Sequence, residues 1–165
     1  MEMNFVAIIL IAFVPMVLGF IWYNPKTLGS AWMKACNLTE EDLKQGNMLV
    51  VFGVSFLLSI MLAFSLQFAT IHQFGIFGAF EGTLDNPDMK TLYDTVMAKV
   101  GNNFRYFRHG FLHGGMVAVF TILPVLATNA LFERKSVKYI FINFGYWFFC
   151  FAIMGGLLCK YAVQF

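Results

Sequence analysis

Apolar residues gather into four long runs, residues 5–23, 48–70, 110–131 and 139–159, with the polar positions collected between them. Each run matches the roughly 20 helical residues that cross a hydrocarbon core of about 30 Å. None carries Lys, Arg, Asp or Glu in its interior, as a segment facing lipid requires. The runs do not alternate apolar with polar residues, which excludes a membrane β-barrel. The pattern predicts an all-α membrane protein: one domain over residues 1–165, with four transmembrane helices in an antiparallel bundle.

The polar stretches punctuate these runs. Asn24 and Pro25 stop the first helix, because proline disfavours helical backbone in the residue before it. Thr39, followed by Glu40, Glu41 and Asp42, reads as an N-cap with acid in the first turn. The second helix is therefore expected to begin there and rise several turns above the membrane. Within the long connection 71–109, Asp85, Asn86 and Pro87 supply a cap and a first-turn proline. Met89, Leu92, Tyr93, Val96, Met97 and Val100 then recur at helical spacing until Gly101. An amphipathic helix is predicted over 87–100. Its polar face is mixed in sign, which speaks against a dedicated anionic-lipid anchor and for packing on the end of the bundle. Residues 132–138 are too few to separate the last two runs, so these form an adjacent antiparallel pair.

Composition sharpens the class. The chain is 59% hydrophobic with 21 Phe, a mean hydropathy of +0.71 and 12% charged residues, against about 25% charged in soluble domains. A small fold has too little interior to hide that surface. The net charge of +2 is dispersed, so nucleic acid is excluded as a partner. Cys36, Cys150 and Cys159 have no ligand spacing and read as small buried hydrophobes. Glu2 is the only charged side chain before Lys26, so the first run lacks the basic start of a signal peptide and is read as a retained helix. Lys26, Lys34, Lys44, Arg134, Lys135 and Lys138 lie in the two short loops, against Lys99, Arg105, Arg108 and Lys160 near helix ends on the other side. The positive-inside rule then puts the short loops inside and both termini outside.

The stretch Leu18-Gly19-Phe20-Ile21-Trp22-Tyr23-Asn24-Pro25, with Gly29, Ala31, Trp32 and Met33, resembles the opening of a bacterial membrane-protein family, domain of unknown function 1761. The segment Asn129 to Ser136, then Ile142 to Trp147, and Met154 with Gly155, is similar to that family's last helix pair and its tight charged loop. The resemblance implies a helical protein of a bacterial inner membrane. It brings no activity, cofactor or catalytic residue.

Several side-chain sets stand out against the apolar background. His72 follows the second run, while His109 and His113 sit at i and i+4 where the third begins, so all three fall near one membrane face. Neutral imidazoles so placed can bind zinc or copper, or one from each helix can ligate a haem. No carboxylate or thiol of matching spacing completes the set, so interfacial histidines bonded to headgroups, water or backbone are the favoured reading, and no cofactor is predicted. Gly110, Gly114 and Ala118 form a ridge of small residues, as do Ser55, Ser59 and Ala63, and Ala152 and Gly156. Such ridges mark close helix contact, within one bundle or with a second copy. Arg105 and Arg108, flanking Tyr106, can clamp a phosphate but more commonly anchor a helix at the interface. Thr121 and Asn143 are candidate pore-lining residues but more often hold helices together by hydrogen bonds, and Pro15 and Pro124 are candidate kinks. Phe141, Phe144, Trp147, Phe148 and Phe151 can shape a pocket for a quinone or lipid tail but more commonly face lipid or pack in the core.

No nucleophile elbow, phosphate loop, HExxH or paired carboxylate is present, so the chain is not read as an enzyme. The leading expectation is a noncatalytic accessory or assembly subunit that works through helix contacts, with other membrane subunits or a second copy as partners in the bilayer. An oligomeric small-solute channel or carrier is the alternative from the transport class. A haem- or metal-binding redox subunit built on the three histidines is the third.

Overall fold

The computed structural model describes residues 2–164. In chain order it runs β1 (Glu2–Met3), α1 (Phe5–Ile11), α2 (Val14–Trp22), α3 (Gly29–Cys36), α4 (Glu40–Lys44), α5 (Met48–Thr70), α6 (Gln73–Phe80), α7 (Pro87–Val100) and α8 (Phe107–Val117). A π-helical turn (Ala118–Ile122), α9 (Leu123–Phe132), α10 (Val137–Tyr161) and β2 (Val163–Gln164) complete it. Four stretches are long and apolar enough to cross a membrane: Phe5–Trp22, Met48–Thr70, Phe107–Phe132 and Val137–Tyr161. Leu49 and Phe132 are 85% and 87% exposed, a surface that only a lipid solvent tolerates. The fold is an all-α membrane bundle.

Both prolines inside the spans interrupt their helices. Pro15 has no N–H and crowds the carbonyl four residues back, and α1 ends at that residue, Ile11, before the chain resumes as α2. Pro124 likewise cannot donate to Phe120, and the preceding turn widens into the π-helical segment.

The tightest contact lies between α8 and α10. A Cβ on Gly110 would sit 2.2 Å from the carbonyl oxygen of Gly155, and one on Gly114 would sit 2.1 Å from that of Phe151. Backbone therefore meets backbone, and only glycine fits. Ala118 and Ala152 are fully buried, and Gly156 faces the ring of Phe107. On α5, Ser59 and Ala63 are buried, whereas Ser55 is exposed and its carbonyl accepts from the Ser59 hydroxyl at 2.8 Å.

The first and last spans meet at the short-loop end. Trp22 Nε1 donates to the Ile142 carbonyl at 3.0 Å, Tyr23 donates to Asn143 Oδ1 at 3.0 Å, and Tyr146 donates to the Pro15 carbonyl at 2.8 Å. Gly145 leaves room for the Trp22 indole. Asn143 is thus engaged by Tyr23 and by the Tyr139 carbonyl, as a helix tie rather than a pore lining. At the opposite end β1 pairs with β2, Glu2 opposite Gln164 and Met3 opposite Val163, which closes the termini together.

Two connections depart from the sequence reading. Thr39 does cap a helix, with a full capping box to Asp42, but that helix is only α4. Gly46 ends it, and Asn47 caps α5 by accepting from Leu49 and Val50. The second span therefore begins at Met48 and does not rise above the membrane from Thr39. In the long connection α7 forms as the spacing implies, with Asn86 accepting from Asp88 and Met89. An additional helix, α6, precedes it. Tyr93 of α7 packs on Phe77 and Phe80 of α6 with ring centroids 6.4 and 5.5 Å apart. No α7 residue is buried, and of its apolar stripe it is Tyr93 that packs on α6.

Candidate metal centre

The end of the bundle that carries both termini also carries all three histidines. α5 ends at Thr70, and Ile71 takes an extended conformation that redirects the chain. His72 then follows as the N-cap position of α6. Its neighbours Ile71 and Gln73 are 1% and 3% exposed, so the backbone on either side is fixed while the imidazole stays exposed. Gln73 Nε2 donates to the carbonyls of Val100 at 3.0 Å and Asn103 at 2.9 Å, tying the start of α6 to the loop that enters α8.

His109 and His113 project from the first turns of α8, half-buried, next to the glycine ridge that locks this helix on α10. The three rings converge. Ring centroids are 4.9 Å apart for His72 and His109, 4.8 Å for His72 and His113, and 4.4 Å for His109 and His113. One ligand nitrogen from each lies within 4.8 Å of the others, and the Nε2 atoms of His72 and His109 are 2.9 Å apart. One of those nitrogens donates to the other, so a hydrogen bond joins the His72 and His109 rings.

Phe104 closes one side of the cluster, stacked on His109 at 5.0 Å and edge-on to His72 at 6.1 Å. It adopts φ +61, a left-handed conformation that costs a non-glycine residue of order 1 kcal/mol. The surroundings hold it there: the buried Cys159 thiol donates to the Phe104 carbonyl at 3.3 Å, and Arg105 Nη2 donates to the Val163 carbonyl at 2.5 Å. Arg105 therefore ties the entry loop to the C-terminal strand and does not point out as an interfacial anchor. Burial pushes its pKa down from the ordinary value. Arg108, one helical position before His109, is exposed and lines a cleft with Tyr106, His109 and Leu112.

The geometry bears on ligand type. A tetrahedral ion with bonds of about 2.0–2.1 Å spaces its ligand atoms about 3.3 Å apart; the His72–His109 pair stands at 2.9 Å, and all three ligand atoms lie within 4.8 Å of one another. A haem between His72 and His109 would need their nitrogens about 4 Å apart on opposite faces of a macrocycle. Here they are in contact with a third imidazole beside both, and no plane passes between them. Among the described residues no Cys, Asp or Glu joins the set.

A lipid-length helical bundle with a polar cluster at one face defines a multi-pass membrane protein. The model of the family described as Protein of unknown function (DUF1761) matches residues 6–159, and the chain belongs to that family. No curated protein and no solved structure matches it.

Proposed function

We propose that the protein is a membrane-resident metalloprotein that holds a divalent transition-metal ion, zinc or copper, between His72, His109 and His113. The observation that carries this reading is the convergence of imidazoles from two separate chain segments to within 4.8 Å. Neutral imidazole suits zinc, copper and related ions, and excludes calcium and magnesium, which take oxygen ligands. Structural zinc sites close with four protein ligands, whereas sites that act on a bound molecule keep a position open. Three ligands leave that position open, and an exposed His72 leaves it accessible. With no anionic ligand in the set, the ion keeps its full charge and favours an anionic or polarised fourth ligand.

A role confined to helix contacts is less well supported, because Gly110 and Gly114 are spent against α10 and offer no ridge to another chain. Thr121 lines a side groove with Asn129, Glu133 and Tyr139. The basic-residue balance and the family resemblance support a bundle in a bacterial inner membrane with the histidine face outside.

Zinc titration of chelator-washed protein in detergent, followed by calorimetry, tests the proposal. One ion per chain is expected, and His72→Ala, His109→Ala and His113→Ala should each weaken it by more than about 100-fold, beyond the 10- to 100-fold typical of outer-shell changes. Binding that survives all three substitutions would remove the site.

A further inference from the structure

A groove of about 580 Å³ runs along the lipid-facing side of α8 and α10, walled by Phe107, Phe111, Met116, Phe120 and Phe148, with Gly115 as its floor. The glycine makes the space: a Cβ there would stand 3.3 Å from the Phe148 ring. From residue 107 to residue 120 the helix rises about 20 Å at 1.5 Å per residue, somewhat more than the roughly 15 Å depth of one leaflet's hydrocarbon. The groove therefore has the length and lining of a single acyl chain.

Its outer end changes character. Arg108 and Leu112 line both this groove and the adjoining cleft of about 520 Å³ that contains Tyr106 and His109. The Arg108 guanidinium makes no ion pair among the described residues. A cation sits where the chain space opens onto the histidine cluster, and the matching ligand carries an anionic head on a long apolar tail.

We infer that this groove seats one acyl chain of an anionic phospholipid, its phosphate held at Arg108 and Tyr106 beside the metal's open position. The place of the head relative to the ion rests on the metal reading above; the seating of the chain does not. A phosphate so placed would cap an ion held by His72, His109 and His113.

Native mass spectrometry of the purified full chain, offered equal amounts of phosphatidylglycerol and phosphatidylcholine, reads this directly. The wild type should retain one phosphatidylglycerol in at least tenfold preference. Arg108→Gln, an exposed change that leaves packing alone, should abolish the preference, and Gly115→Leu should abolish retention. Equal retention of the two lipids by the wild type, or an Arg108→Gln protein that still prefers phosphatidylglycerol, would overturn the inference. Zinc should raise phosphatidylglycerol retention in the wild type and not in His113→Ala. Arg108-dependent retention in a protein that binds no zinc would keep the lipid seat and discard the metal; zinc binding without lipid preference would do the reverse.

Discussion

Helix α8 carries two stripes of identical spacing and opposite chemistry. Gly110 and Gly114 turn toward α10 and bring backbone onto backbone. His109 and His113, one position earlier each, turn away and meet His72 from the connection after α5. The glycine stripe has one solution, since any added carbon collides. The histidine stripe is half-buried, polar and open on one side. The rigid stripe positions the open one: the same two turns that cannot shift against α10 fix where two of the three imidazoles stand, to the sub-ångström tolerance a metal site needs.

That division can be broken at three places, and a fourth, remote site serves as its control. The largest effect is expected from Gly114→Leu, whose Cβ alone would fall 2.1 Å from the Phe151 carbonyl. Overpacking of a close seam costs about 3 kcal/mol or more, so thermal unfolding in detergent should drop sharply and zinc binding should be lost with it. His113→Ala separates the two stripes: zinc affinity should fall by more than about 100-fold while the unfolding transition stays within roughly 0.5 kcal/mol of the wild type. Phe104→Gly is smaller. Removing the ring frees His109 and should lower zinc affinity about tenfold, whereas the relief of a left-handed non-glycine residue keeps stability from falling.

The smallest effect lies far from both stripes. Hydrogen bonds from Thr39 hold the Asp42 carboxyl below its ordinary pKa. A depressed native value means that the capping box contributes fully above the ordinary carboxylate range and loses that contribution as pH falls through the lower native value. Amide exchange across residues 40–44 should therefore quicken on acidification, and Asp42→Asn should remove that pH dependence, with the α8–α10 seam untouched in both cases.

Much of the frame is legible in the sequence, because lipid imposes a length and an apolarity that no other constraint mimics. The four spans, the Asn86–Pro87 start of α7 and the tight turn before α10 follow from hydropathy and capping chemistry alone. α6 escapes that logic. Gln73 to Phe80 is apolar with two glycines and no cap, and its helix is held by the tie from Gln73 to the end of α7 and by the Tyr93 ring of α7, which packs on Phe77 and Phe80. Thr39 has the stronger capping signature and so points to an earlier start of α5 than the true one, while Gly46 and Asn47 together form a quieter stop and restart.

For the site, the i, i+4 pair and a third histidine near the same membrane face are legible in the sequence, but the close approach of His72 to that pair is not. His72 joins it because Ile71 leaves helical conformation, a backbone event that no residue pattern announces. Phe104, Cys159 and Gln73 shape the cluster through tertiary contacts between distant segments, which spacing cannot show. The glycine ridge could be read as a place of close contact, but not as contact with α10.

X-ray absorption at the zinc edge of the loaded, detergent-solubilised protein tests the central claim most directly. The account predicts three imidazole nitrogens at about 2.0–2.1 Å and one further light atom completing a four-coordinate shell, with the imidazole scattering lost in His113→Ala. A shell containing sulfur at about 2.3 Å, or six oxygens without imidazole scattering, would place the ion elsewhere and contradict it.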